Sequence, residues 1–341
     1  MKKETVMLKL DANEGICLLS KDQRDVILST DICRRYPDSE RLEAEIAQML
    51  GIPARNVLAT AGADDAIDRA FRAFAGPGKS VATTTPGFVE FLEASRRTGA
   101  TFLSVRRRAA EAFPVGELCM LIERERPALT VLASPDNPFG TMLSEEDFRA
   151  IAAVCARNGS LFLFDATYLD FADSNSLLPL ALKQKNIIVT GSFSKSRGLA
   201  GFRVGWAAVG EGARGLLPAM REAGPPYSLS APAIEAACLM LDENARDYAA
   251  YVDRIRMERS VLRESMAAIG LDTWPSQANF VTASLPDARS FALGLKKRGV
   301  AIRCWPADSD AADLVRVTCP GEAASFRILL KALREMEGHY A

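Results

Sequence analysis

The sequence contains a single histidine, His339, among its last three residues. Serine and cysteine hydrolases of the triad type hold an imidazole beside the nucleophile, and histidine-based zinc sites need several, so neither class fits. No run approaches the ~18 consecutive apolar residues of a membrane-spanning helix. Seven cysteines, at 17, 33, 119, 155, 238, 304 and 319, are odd in number, scattered and never spaced C-x-x-C, which predicts reduced, mostly buried thiols. Neither sign of charge dominates: 42 basic side chains face 43 acidic ones, a poor match to a chain whose main task is gripping nucleic acid or anionic lipid. The opening MKKETVMLKLDANEG lacks the apolar core of a signal peptide, and the expected location is the cytoplasm.

Two phosphate-binding patterns are also missing. No G-x-G-x-x-G follows the first expected strand. Gly78-Lys79-Ser80 resembles the tail of a P-loop, but Ala73 stands where the first glycine belongs, and the segment precedes a strand instead of following one. A turn into a strand is the better reading.

What remains is a well-mixed globular composition, 48% hydrophobic and 25% charged over 341 residues, enough for about two domains. Short apolar runs at 57–60, 80–84, 101–105, 129–133, 161–164, 187–190 and 204–209 alternate with amphipathic stretches. In residues 63–75, Ile67, Ala70, Phe71 and Phe74 recur at i, i+3, i+4, i+7, the helical spacing. Ser144 followed by Glu145, Glu146 and Asp147 caps a further helix running to about Arg157. Such alternation predicts an α/β fold with a mostly parallel sheet covered on both faces and a ligand site beyond the strands' carboxyl ends. After Gly224-Pro225-Pro226 a long helical tract is expected from about 231 to 269, then a smaller α+β unit with strands near 279–284, 300–304 and 314–318.

Three polar residues follow core strands at that edge: Asn137 after 129–133, Asp165 after 161–164 and Lys195 after 187–190. Lys195 sits in Ser192-Phe193-Ser194-Lys195-Ser196-Arg197-Gly198-Leu199-Ala200-Gly201-Phe202-Arg203. A lysine in a crevice of small residues can act on a carbonyl, while Ser192, Ser194 and Arg203 offer donors and a fixed cation for a phosphate. The combination suits an aldehyde cofactor that carries a phosphate.

Taken with LDANEG, RRYPDSERLEAEIAQMLG, AGADDAIDRAFRAF, TTTPGF, SPDNPFGT, FDATY, SFSKSRGLAGFRVGW and VRVTCPG, the set resembles the fold-type I pyridoxal-phosphate enzymes. Within them it is most similar to the class-II aminotransferases of the histidinol-phosphate type. The resemblance implies pyridoxal 5′-phosphate as cofactor, with Lys195 as its covalent anchor and proton carrier. Asp165 would pair with the ring nitrogen, and Tyr168 and Asn137 would bond the ring oxygen. Phe88 would stack on the ring. Gly62, Ala63, Asp64, Ser192, Ser194 and Arg203 would surround the phosphate, and Tyr36 would reach it from a neighbouring subunit, implying a homodimer with shared sites. Arg316 would grip the substrate's anionic tail, with Asn13 and Asn137 nearby. The implied substrates are an amino acid, often glutamate, or an amino phosphate, and a keto or aldehyde partner; no metal is implied. The implied division is a large cofactor domain over 36–255 and a small one from 1–35 with 256–341.

Three stretches depart from the family pattern. D-E-A-Y is Asp165-Ala166-Thr167-Tyr168, N-E-N-P-Y-G is Asn13-Glu14-Gly15-Ile16-Cys17, and the closing R-V-T runs into Cys319-Pro320-Gly321. A decarboxylase resembling threonine-phosphate decarboxylase is the alternative on the same lysine. A cofactor-sensing regulator would need a DNA-reading helix-turn-helix, and too few residues precede the first motif to build one.

Overall fold

The computed structural model describes residues 8–108, 112–242 and 244–337; His339 lies outside them. Among the described residues, twelve strands form two sheets. They are β1 (Leu8–Leu10), β2 (Val57–Thr60), β3 (Ser80–Thr85), β4 (Thr101–Arg106), β5 (Leu129–Ala133), β6 (Leu161–Asp165), β7 (Ile187–Ser192), β8 (Gly205–Val209), β9 (Asp272–Thr273), β10 (Phe280–Ser284), β11 (Val300–Cys304) and β12 (Leu314–Thr318).

The larger sheet runs β2-β8-β7-β6-β5-β3-β4. β3 pairs parallel with β4 and β5, and β5, β6 and β7 are parallel in turn; β8 is antiparallel to both of its neighbours. Every residue of β5 is buried, as expected for a strand covered on both faces. Alternation assigns the faces. Phe162 and Phe164 meet Phe148 of helix Glu145–Arg157, with ring centroids 5.3 and 5.2 Å apart. Leu163, between them, points to the opposite core with Ile67, Ala70 and Phe71 of helix Gly62–Phe74. Removing any one of these buried phenylalanines would cost about 3–5 kcal/mol. Ser144 accepts a hydrogen bond from Asp147 N–H at the helix start, and three acidic residues follow in the first turn, where the helix dipole favours them.

The smaller sheet runs β1-β11-β12-β10-β9, with β1 parallel to β11 and the remaining pairs antiparallel. Phe280, Val315, Val317 and Leu329 share its core with Tyr251, Ile255, Leu262 and Met266 of helix Ala245–Ala268. We propose that the chain divides near residues 35 and 255, the second point lying inside that helix.

Two expectations need correction. The tract from 231 to 269 is two helices, Ala231–Asp242 and Ala245–Ala268, with Asn244 as the N-cap residue of the second. The thiols are not mostly buried: all seven are free, but only Cys155, Cys238 and Cys319 are buried, and Cys17 and Cys33 are exposed. Both exposed thiols lie on the N-terminal segment, whose Leu10 enters the small sheet's core and whose Leu19 and Ile27 enter the large one's.

Candidate active site

β5, β6 and β7 end side by side, so the segments that follow them share one edge. There a cavity of about 350 Å³ opens, lined from the large sheet by Asn137, Asp165, Tyr168 and Lys195 and from the small sheet by Arg303 and Arg316. A cavity of this size suits a small ligand. Phe88, Ala63, Asp64, Ser192, Ser194 and Arg203 also line it.

Asp165 closes β6 and is 3% exposed. Its Oδ1 takes three hydrogen bonds, from Thr167 Oγ1 at 2.6 Å, Thr167 N–H at 3.1 Å and Thr190 Oγ1 at 3.3 Å. Burial pushes its carboxyl up to about 6, against the pull of the Thr167 bonds. All three bonds fall on one oxygen, so Oδ2 is left for a ligand donor.

Lys195 Nζ donates to Ala12 O at 3.0 Å. Asn13, buried and with φ of 55°, is fixed by four bonds: its N–H to Thr318 Oγ1, its Oδ1 from Thr318 Oγ1, its carbonyl from Asn279 Nδ2 and its Nδ2 to Tyr168 Oη at 3.0 Å. Tyr168 Oη accepts in that bond, so its own proton is free to donate. Gly15 explains one departure from the family pattern: a Cβ there would stand 2.1 Å from the carbonyl oxygen of Lys195. Only glycine lets the N-terminal segment lie this close to the lysine loop.

Asn137 is set by its neighbour. Asp136 Oδ1 accepts from Thr141 N–H at 2.8 Å and Thr141 Oγ1 at 2.9 Å, and its Oδ2 from Arg107 Nη1 at 2.7 Å. The Arg107 guanidinium lies 4.3 and 4.7 Å from the ring centroids of Phe113 and Phe139. The pair is buried on both sides and ties the turn at 134–140 to Arg107, which follows β4.

At the other end of the cavity, Gly62 is the first residue of helix Gly62–Phe74, so its N–H and that of Ala63 are unpaired within the helix. Arg203 faces them, donating to Ser194 Oγ at 3.2 Å and to Asp64 Oδ2 at 2.8 Å. The Asp64 carboxylate thus occupies a guanidinium edge suited to a phosphate. A Cβ on Gly62 would sit 2.6 Å from Arg203 Nη2 and fill the cup.

Arg316 is 6% exposed; it donates from Nη1 to Asn137 Oδ1 at 2.6 Å and from Nη2 to Asp11 O at 2.9 Å, while its Nε is buried without a partner. Burial foremost, with Arg303 nearby adding to it, draws its guanidinium down to about 10. Arg303 and Arg316 are direct cross-strand partners on β11 and β12. Like charges so placed repel, and among the described residues neither has a carboxylate in ion-pair range. Trp305 lies beside both, its ring centroid 5.6 Å from Arg303 and 5.8 Å from Arg316.

Of the expected site residues, Gly62 and Asn13 stand behind the lining, next to Ala63 and Ala12, and Tyr36 is remote from this cavity. It is 83% exposed and stacks on Tyr227 at 4.8 Å, beside a separate open groove. Arg303, Trp305 and Thr167 line the cavity but were not singled out from the sequence. Arg303 follows a strand-like V-A-I, yet only the register with β12 shows which residue it faces.

The sequence model of the aminotransferase class I and II family matches residues 8–333. The chain belongs to that family. It is an aminotransferase, and its cofactor is pyridoxal 5′-phosphate. Among its relatives is the histidinol-phosphate aminotransferase of Thermoanaerobacter pseudethanolicus, 28% identical over 336 residues that cover 96% of this chain and 92% of the relative. The crystal structure of histidinol-phosphate aminotransferase from Sinorhizobium meliloti in complex with pyridoxal-5′-phosphate superposes with a TM-score of 0.86 at 24% identity, covering 99% of this chain and 92% of that one. L-threonine-O-3-phosphate decarboxylase from Porphyromonas gingivalis shares the fold too, with a TM-score of 0.80 at 20% identity over 97% and 99% of the two chains. The aminotransferase cavity fits the cofactor at both ends: the cup at Gly62 and Arg203 suits its phosphate, and Asp165 Oδ2 suits its ring nitrogen. No helix among the described residues is long and apolar enough to cross a membrane.

Proposed function

We propose that this aminotransferase moves an amino group between an amino acid, glutamate foremost, and a keto or aldehyde partner ending in a phosphate or carboxylate, as the name histidinol-phosphate aminotransferase implies for its relatives. The carrying observation is the cross-strand pair of Arg303 and Arg316, two cations facing one cavity and, among the described residues, neither within ion-pair range of a carboxylate; Asp11, on the same cavity wall, acts on Arg316 only at longer range. Two guanidinium groups can hold a dianionic phosphate through several charge-assisted bonds. Bound ligand would also relieve their mutual repulsion.

When bound, pyridoxal 5′-phosphate supplies an aldehyde that captures the substrate amine and a ring that withdraws electrons from its α-carbon. Lys195 would anchor that aldehyde and then carry the proton to and from the α-carbon; at rest its Nζ donates to Ala12 O. Tyr168 donates its hydroxyl proton to the ring oxygen, because Asn13 already occupies it as an acceptor. Asp165 presents Oδ2 to the ring nitrogen. Gly62 and Ala63 N–H, Ser192, Ser194 and Arg203 hold the phosphate, with Asp64 withdrawing from the guanidinium; Phe88 covers one face of the ring. Asn137 would meet the ring oxygen while its Oδ1 accepts from Arg316.

Tyr36, exposed and remote from its own cavity, completes the phosphate cup of a second subunit, so the working unit is a homodimer with shared sites. Free cysteines suit a reducing compartment, the cytoplasm.

The test is a half-reaction screen of L-glutamate, L-histidinol phosphate, L-threonine phosphate and neutral amino acids, following conversion of bound pyridoxal phosphate to pyridoxamine phosphate. Anionic-tailed amines should convert it fastest without releasing carbon dioxide. Stoichiometric carbon dioxide would favour the decarboxylase reading, and preference for neutral amines would remove the arginine pair from substrate binding.

A further inference from the structure

Asp165 and Thr167 are joined twice within the turn that follows β6. The shortest of the three bonds on Asp165 comes from Thr167 Oγ1 at 2.6 Å, two residues along the chain. Thr167 is half-buried and lies in a wall between the active cavity and a second chamber of about 180 Å³ that reaches Asp170, Arg197, Trp206 and Tyr248.

A carboxylate can rotate about its terminal torsion, and a buried one is under pressure to take up a proton. Donors gathered on one oxygen answer both tendencies. They hold the plane of the group, and they favour the ionised form without using the oxygen that faces the cavity. Thr190 Oγ1 contributes from β7 at 3.3 Å, and the Thr167 N–H from the turn itself at 3.1 Å. Only the Thr167 hydroxyl combines a short distance with a group that substitution can remove cleanly.

We propose that Thr167 is the positioning residue for Asp165, fixing Oδ1 so that Oδ2 meets the cofactor's ring nitrogen and keeps that nitrogen protonated. The proposal rests on the assignment of Asp165 to the ring nitrogen, and the test separates the two. Apo-protein is loaded with pyridoxal phosphate labelled with ¹⁵N in the ring, and the ring-nitrogen shift and the cofactor dissociation constant are measured. The variants are Thr167→Ala, Thr167→Ser, the isosteric Thr167→Val and Asp165→Ala.

Thr167→Ser should keep the parent's shift and affinity. Thr167→Ala should move the shift toward the unprotonated ring and weaken cofactor binding on the order of 10-fold, as expected for a lost hydrogen bond to a charged group. Thr167→Val repeats the measurement should the alanine variant fail to fold. If Asp165→Ala shifts the signal and neither Thr167→Ala nor Thr167→Val does, the threonine is merely a turn residue and the proposal falls. If Asp165→Ala leaves the signal at the parent's position, the assignment of Asp165 fails first and takes the proposal with it.

Discussion

Arg316 Nη1 and Asn137 Oδ1 are 2.6 Å apart, so the arginine assigned to the substrate's tail is tied to the asparagine assigned to the cofactor. This bond joins β12 of the small sheet to the turn after β5 of the large one at the cavity, beside a small cluster in which Leu314 and Phe139 are buried together. A ligand that draws Arg316 toward itself also pulls on Asn137.

Arg316→Ala should lower kcat/KM by ~30-fold or more, following the cost of truncating one member of a desolvated charged contact. The absorbance of the bound cofactor should stay unchanged, and Arg316→Lys should recover part of the loss because a point charge cannot form the paired bonds of a guanidinium. Equal kcat/KM in Arg316→Ala and the parent, with an anionic-tailed substrate, would take Arg316 out of the site.

Lys195→Ala should abolish covalent retention of the cofactor. Borohydride treatment followed by peptide mass spectrometry should label Lys195 alone in the parent and nothing in the variant. Label on Lys183 or Lys185 would contradict the assignment.

Arg107 and Asp136 form a buried pair in which Arg107 is 2% exposed. Replacing one partner strands the other's charge, so Arg107→Ala should destabilise the protein by about 3–5 kcal/mol. Urea unfolding gives the difference directly. A loss below ~1 kcal/mol would mean that water reaches Asp136 and that the turn around Asn137 is less firmly held.

Glu258 supplies a pH-dependent term. Its Oε2 accepts from Gly321 N–H at 2.7 Å, its Oε1 is buried without a partner, and burial pushes its carboxyl up to about 7. The folded state therefore holds this proton more tightly than the unfolded chain. The stability it contributes is complete below the usual glutamate range and is lost as pH rises through about 7. Parent stability should fall relative to Glu258→Gln by roughly 1–3 kcal/mol between pH 5 and 8. Parallel stability curves for the two proteins would refute it.

Tyr36→Ala should weaken cofactor binding without altering the secondary structure of the subunit. Sedimentation should show a dimer at micromolar concentration. A fully active monomer would rule out the shared site.

Most of the large sheet was legible because its strands are buried on both faces and read as continuous apolar runs. β5 falls at 129–133 as expected, and β6 extends only one residue further, to Asp165. The break at Asn244 left no such trace, since neither glycine nor proline interrupts the helical pattern around it. Within the site, Asp165 and Lys195 were visible because each follows an apolar run, and Arg203 because it stands eight residues after Lys195, just before the next strand. Arg303 was not, because its meaning lies in a cross-strand register that periodicity along one strand cannot show. Thr167 was noticed only as a departure; its bond to Asp165 depends on how the turn after β6 closes.

The N-terminal segment has a consequence for the order in which the molecule can be made. Ala12 O receives Lys195 Nζ, Asp11 O receives Arg316 Nη2, and Asn13 Oδ1 receives Thr318 Oγ1 from 305 positions away in sequence. Contacts this distant in the chain are slow to form and cannot be made until both partners exist. During synthesis the large sheet can assemble as its strands emerge, and Ala12 can meet Lys195 once that lysine is made, but residues 8–13 must wait for β11 and β12 to complete their bonds. The arginine and asparagine assigned to the substrate should therefore reach their final places only after residue 318 has been made.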